Sequence, residues 1–183
     1  MPRKRLILIT GMSGSGKTTV AEMFQEEGYS IITMGDIIRG LAAERGLEQT
    51  PQVLGFLAKE MREEHGDGAV AVECVKKLKN MDEDIIVVDG IRSLAEVDVF
   101  KESFDAVLVA THAAPRTRFE RLSERGRSDD PDDIRVFRER DMRQLGFHMG
   151  WAIGLADHMI VNEGSIEDLK NAFKELMEKL GRK

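Results

Sequence analysis

"LILITGMSGSGKTTVAEMF", residues 6–24, decides the fold. An apolar run stops at a glycine-rich turn, and an amphipathic pattern begins directly after Gly16-Lys17-Thr18. Gly11-x-x-x-x-Gly16-Lys17-Thr18, set between a strand and a helix, is the spacing of a phosphate-binding P-loop. A phosphate chain lies against bare backbone N–H groups only where no Cβ holds it away. Glycines at 11, 14 and 16 remove that obstacle and permit left-handed backbone angles. The helix starting near Lys17 adds the positive end of its dipole. The stretch Gly11, Met12, Ser13, Gly14, Ser15, Gly16, Lys17, Thr18 and Thr19 is therefore the expected cradle of a nucleoside triphosphate. Lys17 is expected to serve as a point charge for the β- and γ-phosphates, and the Thr18 hydroxyl as a Mg²⁺ ligand.

Outward from this loop, four apolar, β-branched runs read as strands: Leu6–Thr10, Ile85–Asp89, Ala106–Thr111 and His158–Asn162, with a shorter fifth at Ser30–Thr33. Helical periodicity fills the intervals, as in Leu94/Val97/Phe100 and Ile166/Leu169/Phe173/Leu176/Leu180. Short buried strands alternating with helices predict a three-layer α/β fold: a five-stranded parallel sheet with helices on both faces. Thr50-Pro51 and Asp130-Pro131 each place a capping side chain before a proline at a predicted first helical position, and Ser165-Ile-Glu-Asp168 is a capping-box variant. Two long polar segments, about 34–80 and 112–150, fit poorly as simple connections and are candidate insertions covering a site.

The 183 residues suffice for one domain with a proper core. A net charge of -6 argues against a general nucleic-acid surface. One cysteine, Cys74, excludes an intrachain disulfide framework. No apolar stretch approaches a membrane span, and the positive N-terminus precedes too short an apolar run for a signal peptide. A cytoplasmic protein, monomeric or a small homo-oligomer, is expected.

Ile85–Asp89 closes with an acid, and a carboxylate at the end of a parallel strand beside a P-loop is positioned to reach Mg²⁺. Asp89 is the candidate; a plain Asp-Gly turn is the alternative. Residues 116–143 hold nine arginines and no lysine, a bias that points to bidentate work on phosphates. Glu120, Glu124, Asp129, Asp130, Asp132 and Asp133 are interleaved with them, so a structural ion-pair network is expected alongside. No Asn-Lys-x-Asp guanine-reading run occurs, which favours ATP.

At these residues the chain resembles P-loop kinases of the nucleoside monophosphate kinase and dephospho-CoA kinase group, and most of all an archaeal dephospho-CoA-kinase-like P-loop group. "MGDIIRG" (34–40) resembles the Gly-Asp-x-x-Arg segment of adenylate-kinase-like enzymes, which makes Arg39 a candidate acceptor-phosphate ligand. "VVDGIRS" (87–93) resembles their Asp-Gly-Phe-Pro-Arg segment, with Asp89 near the metal and Arg92 on the acceptor; the Phe-Pro is replaced by Ile91. "RLSERGRSDDPDDIRVFR" (121–138) resembles their lid, here several residues shorter, and the matching positions are Arg121, Arg125, Arg127 and Arg138. "ADHMIVNEGSIEDLKNAF" (156–173) is similar to the end of dephospho-CoA kinases, which implies that Asn162–Gly164 lies against the adenine.

The resemblance implies transfer of the γ-phosphoryl of MgATP to a small nucleotide-like acceptor: a nucleoside monophosphate, or alternatively dephospho-CoA. A partner-gated switch ATPase is the alternative of another class. Lys17, Asp36, Arg92, Arg121, Arg125 and Arg127 are the implied catalytic group, with Arg39, Arg92 and Arg138 on the acceptor. Asp36 would be a general base for a hydroxyl acceptor or a positioning group for a monophosphate, so it leaves both readings open. Trp151 would stack on a base or, preferably, anchor the lid through apolar packing. Arg62 would wall the acceptor site or end a solvated helix. The four histidines (65, 112, 148 and 158) lack metal-ligand spacing.

Overall fold

The computed structural model describes residues 4–127 and 130–181; Asp129, named among the lid acids, lies outside them. Five strands form one sheet: β1 (Arg5–Thr10), β2 (Ser30–Thr33), β3 (Ile85–Ile91), β4 (Asp105–His112) and β5 (His158–Val161). Their order is β2-β3-β1-β4-β5, and every neighbouring pair is parallel. All carboxyl ends therefore share one edge, where ligands of open α/β sheets collect.

Alternation along β1 builds two cores. Leu6 and Leu8 face one layer with Ile86 and Val88, under α2 (Met34–Glu44), α3 (Pro51–His65), α4 (Ala69–Lys79), α5 (Leu94–Ser103) and Ala152 of α8 (Met149–Gly154). Ile7 and Ile9 face the other, under α1 (Lys17–Glu26) and α9 (Ile166–Leu180). Such near-continuous apolar strands are what burial on both faces requires. Phe24 is fully buried there, edge-on to Tyr29 and Phe173 with centroids 5.6 and 4.8 Å away. Its burial contributes roughly 1.5–3 kcal/mol.

Segment 34–80 folds as α2, α3 and α4, and its apolar face belongs to the main core rather than to a separate lobe. Segment 112–150 carries α6 (Pro115–Arg125) and α7 (Ile134–Gly146), a hairpin joined by the Phe119–Phe137 contact. The expected cap at Thr50 is present, with its hydroxyl accepting from Val53 N–H, and Ser165 and Asp168 form both halves of a capping box. The expected helix start at Asp130-Pro131 is corrected. Asp133 caps α7 instead, because Asp130 is engaged by Arg125 and by the Arg127 backbone N–H. Trp151 is 65 % exposed and anchors nothing; Met149 and Ala152 carry the buried side of α8.

Candidate active site

The loop between β1 and α1 carries Gly11, Gly14 and Gly16 at φ 149, 81 and 101°. These angles are glycine's, and the space is glycine's too. A Cβ on Gly11 would collide with the Thr111 carbonyl and hydroxyl, and one on Gly14 would come within 2.8 Å of the Arg118 carbonyl oxygen. The loop is held by four side chains from elsewhere in the chain. Ser15 Oγ lies 2.7 Å from Thr111 Oγ1, and Asn162 Nδ2 donates to the Ser15 carbonyl at 3.0 Å. Arg118 donates to the Ser13 carbonyl at 3.1 Å. Gln144 of α7 takes Ser13 at two points, accepting from its N–H and donating to its hydroxyl.

A cleft of about 340 Å³ opens over this loop, lined by Gly14, Gly16, Lys17, Thr18 and Thr19 on one side and by Arg121, Arg125, Arg127 and Arg140 on the other. Lys17 Nζ donates to the Met12 carbonyl at 3.1 Å. Desolvation in the cleft lowers its pKa to about 8, against the raising effect of Asp89; the charges of Arg92, Arg118 and Arg140 lower it further.

Asp89 stands at the end of β3, paired in register with Ile9 and with Thr33 of β2. Just beyond it the register slips: Ile9 faces Asp89, Thr10 faces Ile91, and Gly90 at φ 97° is the extra residue. This glycine bulge re-aims the chain after Asp89, as bulges beside active sites do. Asp89 Oδ1 is buried with no hydrogen-bond partner among the described residues. Burial raises the carboxyl's pKa, opposed by the Lys17 charge. An orphaned carboxylate oxygen beside a P-loop lysine fits a hard cation, for which Thr18 supplies an exposed hydroxyl within the same loop. No cluster of three or more His, Cys, Asp or Glu residues among those described offers an all-protein metal cage. Mg²⁺, which keeps waters and phosphate oxygens as ligands, needs none.

The lid arginines divide by role. Arg125 clasps Asp130 through two bonds at 2.8 and 2.6 Å, and Arg140 approaches the same carboxylate at 3.5 Å. The Arg125 hydrogen bonds in particular hold Asp130 below the usual carboxylate range. Arg121 donates to the Asn162 backbone carbonyl at 2.9 Å and to its side-chain oxygen at 3.3 Å. Asn162, expected with Gly164 to lie against the adenine, is buried and has its carboxamide bonded to Ser15 and Arg121. Arg138 points elsewhere, onto an apolar groove with Pro115, Phe119 and Met142. In its place α7 presents Arg140, which sequence reasoning missed because arginines recur along this helix and only the burial of Phe137 shows which of them faces inward. Also missed was Arg118, buried and bound to Asp141 at 2.8 and 2.6 Å, which ties α6, α7 and the P-loop together.

On the acceptor side, Asp36 and Thr33 cap α2 reciprocally: Thr33 Oγ1 donates to Asp36 Oδ2 at 2.7 Å and accepts from Asp36 N–H. Arg39 binds the other carboxylate oxygen, Oδ1. The Thr33 bond, with Arg39 assisting, lowers the Asp36 pKa. Arg92 is exposed at the end of β3, close enough to Lys17 to depress its proton affinity.

A family profile described as AAA domain matches residues 7–146. A UPF0200 protein of Hyperthermus butylicus is 46% identical over 175 residues, spanning 96% of this chain and 94% of that one. Another, from Methanocaldococcus jannaschii, is 46% identical over 177 residues, spanning 96% and 90%. A third, from Thermococcus gammatolerans, is 41% identical over 182 residues, spanning 97% and 96%. Among solved structures, TT1252 from Thermus thermophilus superposes with a TM-score of 0.70 at 20% identity, covering 98% of this chain and all of that one. Shikimate kinase from Bacteroides thetaiotaomicron superposes with a TM-score of 0.57 at 15% identity, covering 96% and 97%. At these identities the structural likeness speaks for the fold alone, which is P-loop kinase-like. No helix among the described residues is long and apolar enough to cross a membrane. With its relatives aligned over nearly their whole length and its P-loop inside the AAA-domain match, the chain belongs to the UPF0200 family.

Proposed function

We propose that the protein transfers the γ-phosphoryl group of MgATP to a nucleoside monophosphate. The observation that carries this reading is the partnerless buried oxygen of Asp89 beside the partly desolvated Lys17, at one end of a cleft lined by four arginines. A binder of nucleotide alone has no use for that combination. Loop amides and Lys17 hold the triphosphate, and Arg121, Arg125, Arg127 and Arg140 neutralise the equatorial oxygens of the transferring group. Thr18 and Asp89 would hold Mg²⁺, which when bound would offset the negative charge of the triphosphate. Arg92 receives the acceptor. The acceptor's phosphate oxygen, already ionised, attacks phosphorus as the bond to ADP breaks, so no general base is needed.

That last point separates the two acceptor readings. A hydroxyl acceptor such as dephospho-CoA calls for a free carboxylate, and Asp36 has both oxygens occupied and a lowered proton affinity. This supports a monophosphate. The test is ADP formation by the purified protein with MgATP alone and with AMP, CMP, UMP, GMP, dAMP, dCMP, dTMP or dephospho-CoA. Strong stimulation by one monophosphate, abolished in folded Lys17→Ala, is the expected result. Equal ADP release with and without every acceptor would instead make the protein a switch ATPase.

A further inference from the structure

One buried carboxylate organises two guanidinium groups on the acceptor side. Glu96, fully buried in the first turn of α5, accepts from the Arg92 backbone N–H at 2.7 Å and from Arg62 Nη2 at 3.4 Å. Its own backbone is fixed by a bond from its N–H to Ser93 Oγ at 3.2 Å. Arg62, on α3, is steadied by a second bond to the Ala58 carbonyl at 3.1 Å. Both guanidinium groups sit over a single ring, that of Phe147, at 5.3 and 6.0 Å from its centroid. Phe147 follows α7, so three separate parts of the chain converge here. The Arg92 guanidinium itself has no hydrogen-bond or ion-pair partner among the described residues.

The charges do not balance. Glu96 cancels one of the two guanidinium groups, and the field of Arg140 also reaches Arg92. Like charges gathered over one ring repel unless an anion joins them. The unmet demand is for a group carrying close to two negative charges and several acceptor oxygens. A phosphate monoester has about −1.5 to −2 charges and three such oxygens, and guanidinium forks bind it bidentately. A single carboxylate would leave one fork short. Arg39, the acceptor ligand implied by the sequence resemblance, pairs with Asp36 and is not among the guanidinium groups gathered over Phe147.

We propose that Arg62 and Arg92, posed by Glu96 and Phe147, form the anion site that grips the acceptor's phosphate monoester. Arg62 thus replaces Arg39 as the partner of Arg92. Glu96 and Phe147 are positioning residues, acting through the two arginines. This deepens the phosphotransferase reading and rests on it.

The test is calorimetric titration of the full chain with its P-loop saturated by Mg²⁺ and a non-hydrolysable ATP analogue. The probes are AMP, CMP, GMP and UMP, their parent nucleosides, and inorganic phosphate. At least one monophosphate should bind, at least tenfold tighter than its nucleoside and tighter than inorganic phosphate. Arg62→Ala should weaken it at least tenfold, and Arg62→Lys, which keeps the charge and loses the fork, should fall between. Binding of the analogue to each variant reports that the fold is intact.

Unchanged monophosphate affinity in Arg62→Ala overturns the proposal, as does loss of affinity in Arg39→Ala with Arg62→Ala unaffected. Inorganic phosphate binding as tightly as any monophosphate makes this a free-phosphate site and overturns the monoester assignment. Analogue binding without any monophosphate binding overturns the anion site and leaves the P-loop untouched. Arg62-dependent monophosphate binding without phosphoryl transfer supports the anion site while sinking the phosphotransferase reading.

Discussion

Lys17 offers a pH dependence whose sign and size follow from its surroundings. In the free protein its pKa is about 8, lowered chiefly by desolvation. It is then about 90% charged at pH 7 and about 10% charged at pH 9. A bound triphosphate brings opposite charge and favours the ammonium form, so the lysine's pKa rises on binding. Binding above pH 8 must therefore take up a proton, and affinity must fall as pH rises. If only the ammonium form grips the phosphates, Kd for a non-hydrolysable ATP analogue increases about tenfold between pH 7 and pH 9. Proton uptake grows from about 0.1 to about 0.9 per site over the same range. Phosphate ionisation interferes little, since a terminal phosphate with a pKa near 6 is about 90% ionised at pH 7 and about 99% or more from pH 8 upward. Calorimetry at each pH in two buffers of different ionisation enthalpy measures the uptake directly. Lys17→Arg, which stays charged throughout, should show none. Uptake below about 0.2 at pH 9 with a flat affinity profile would refute the view that Lys17 is desolvated and faces the phosphates.

Gly11→Ala should abolish analogue binding and lower Tm, because the φ of 149° adds roughly 1–3 kcal/mol of backbone strain and the methyl meets the Thr111 carbonyl; wild-type binding in that variant would contradict the loop geometry. Arg118→Ala leaves Asp141 half-buried without its partner and should cost about 3–5 kcal/mol in urea unfolding, while a loss under about 1 kcal/mol would show the pair to be incidental. Cys74 is buried, and desolvation pushes its thiol up to about 12. At pH 8 it should ignore a thiol reagent such as Ellman's until the protein is denatured. Rapid native labelling would mean that α4 opens.

The sheet and the phosphate loop were legible in sequence because both are local. Strand patterns of four to eight apolar residues, and a glycine spacing that no other loop demands, need nothing from distant residues to be recognised. All five expected strands appear, within two residues of their bounds. The capping box at Ser165 was local for the same reason.

What sequence left open lies where the partner of a side chain is far away in the chain. Asp130 reads as a helix cap, yet Arg125 claims it; burial of Phe137 orients α7 so that Arg140, one turn on, rather than Arg138 lines the cleft. Asn162 reads as a base contact, yet Ser15, 147 residues earlier, takes its amide. Arg62 and Glu96 carry no motif; only the packing of α3 against the start of α5 brings them within 3.4 Å. The amino-acid order by itself determined that a triphosphate cradle sits on a parallel sheet, because glycine conformations and strand burial are properties of short stretches. Only the tertiary structure decided which charges face that cradle, because the acids and rings that pose arginines such as Arg62 and Arg140 lie outside their own helices.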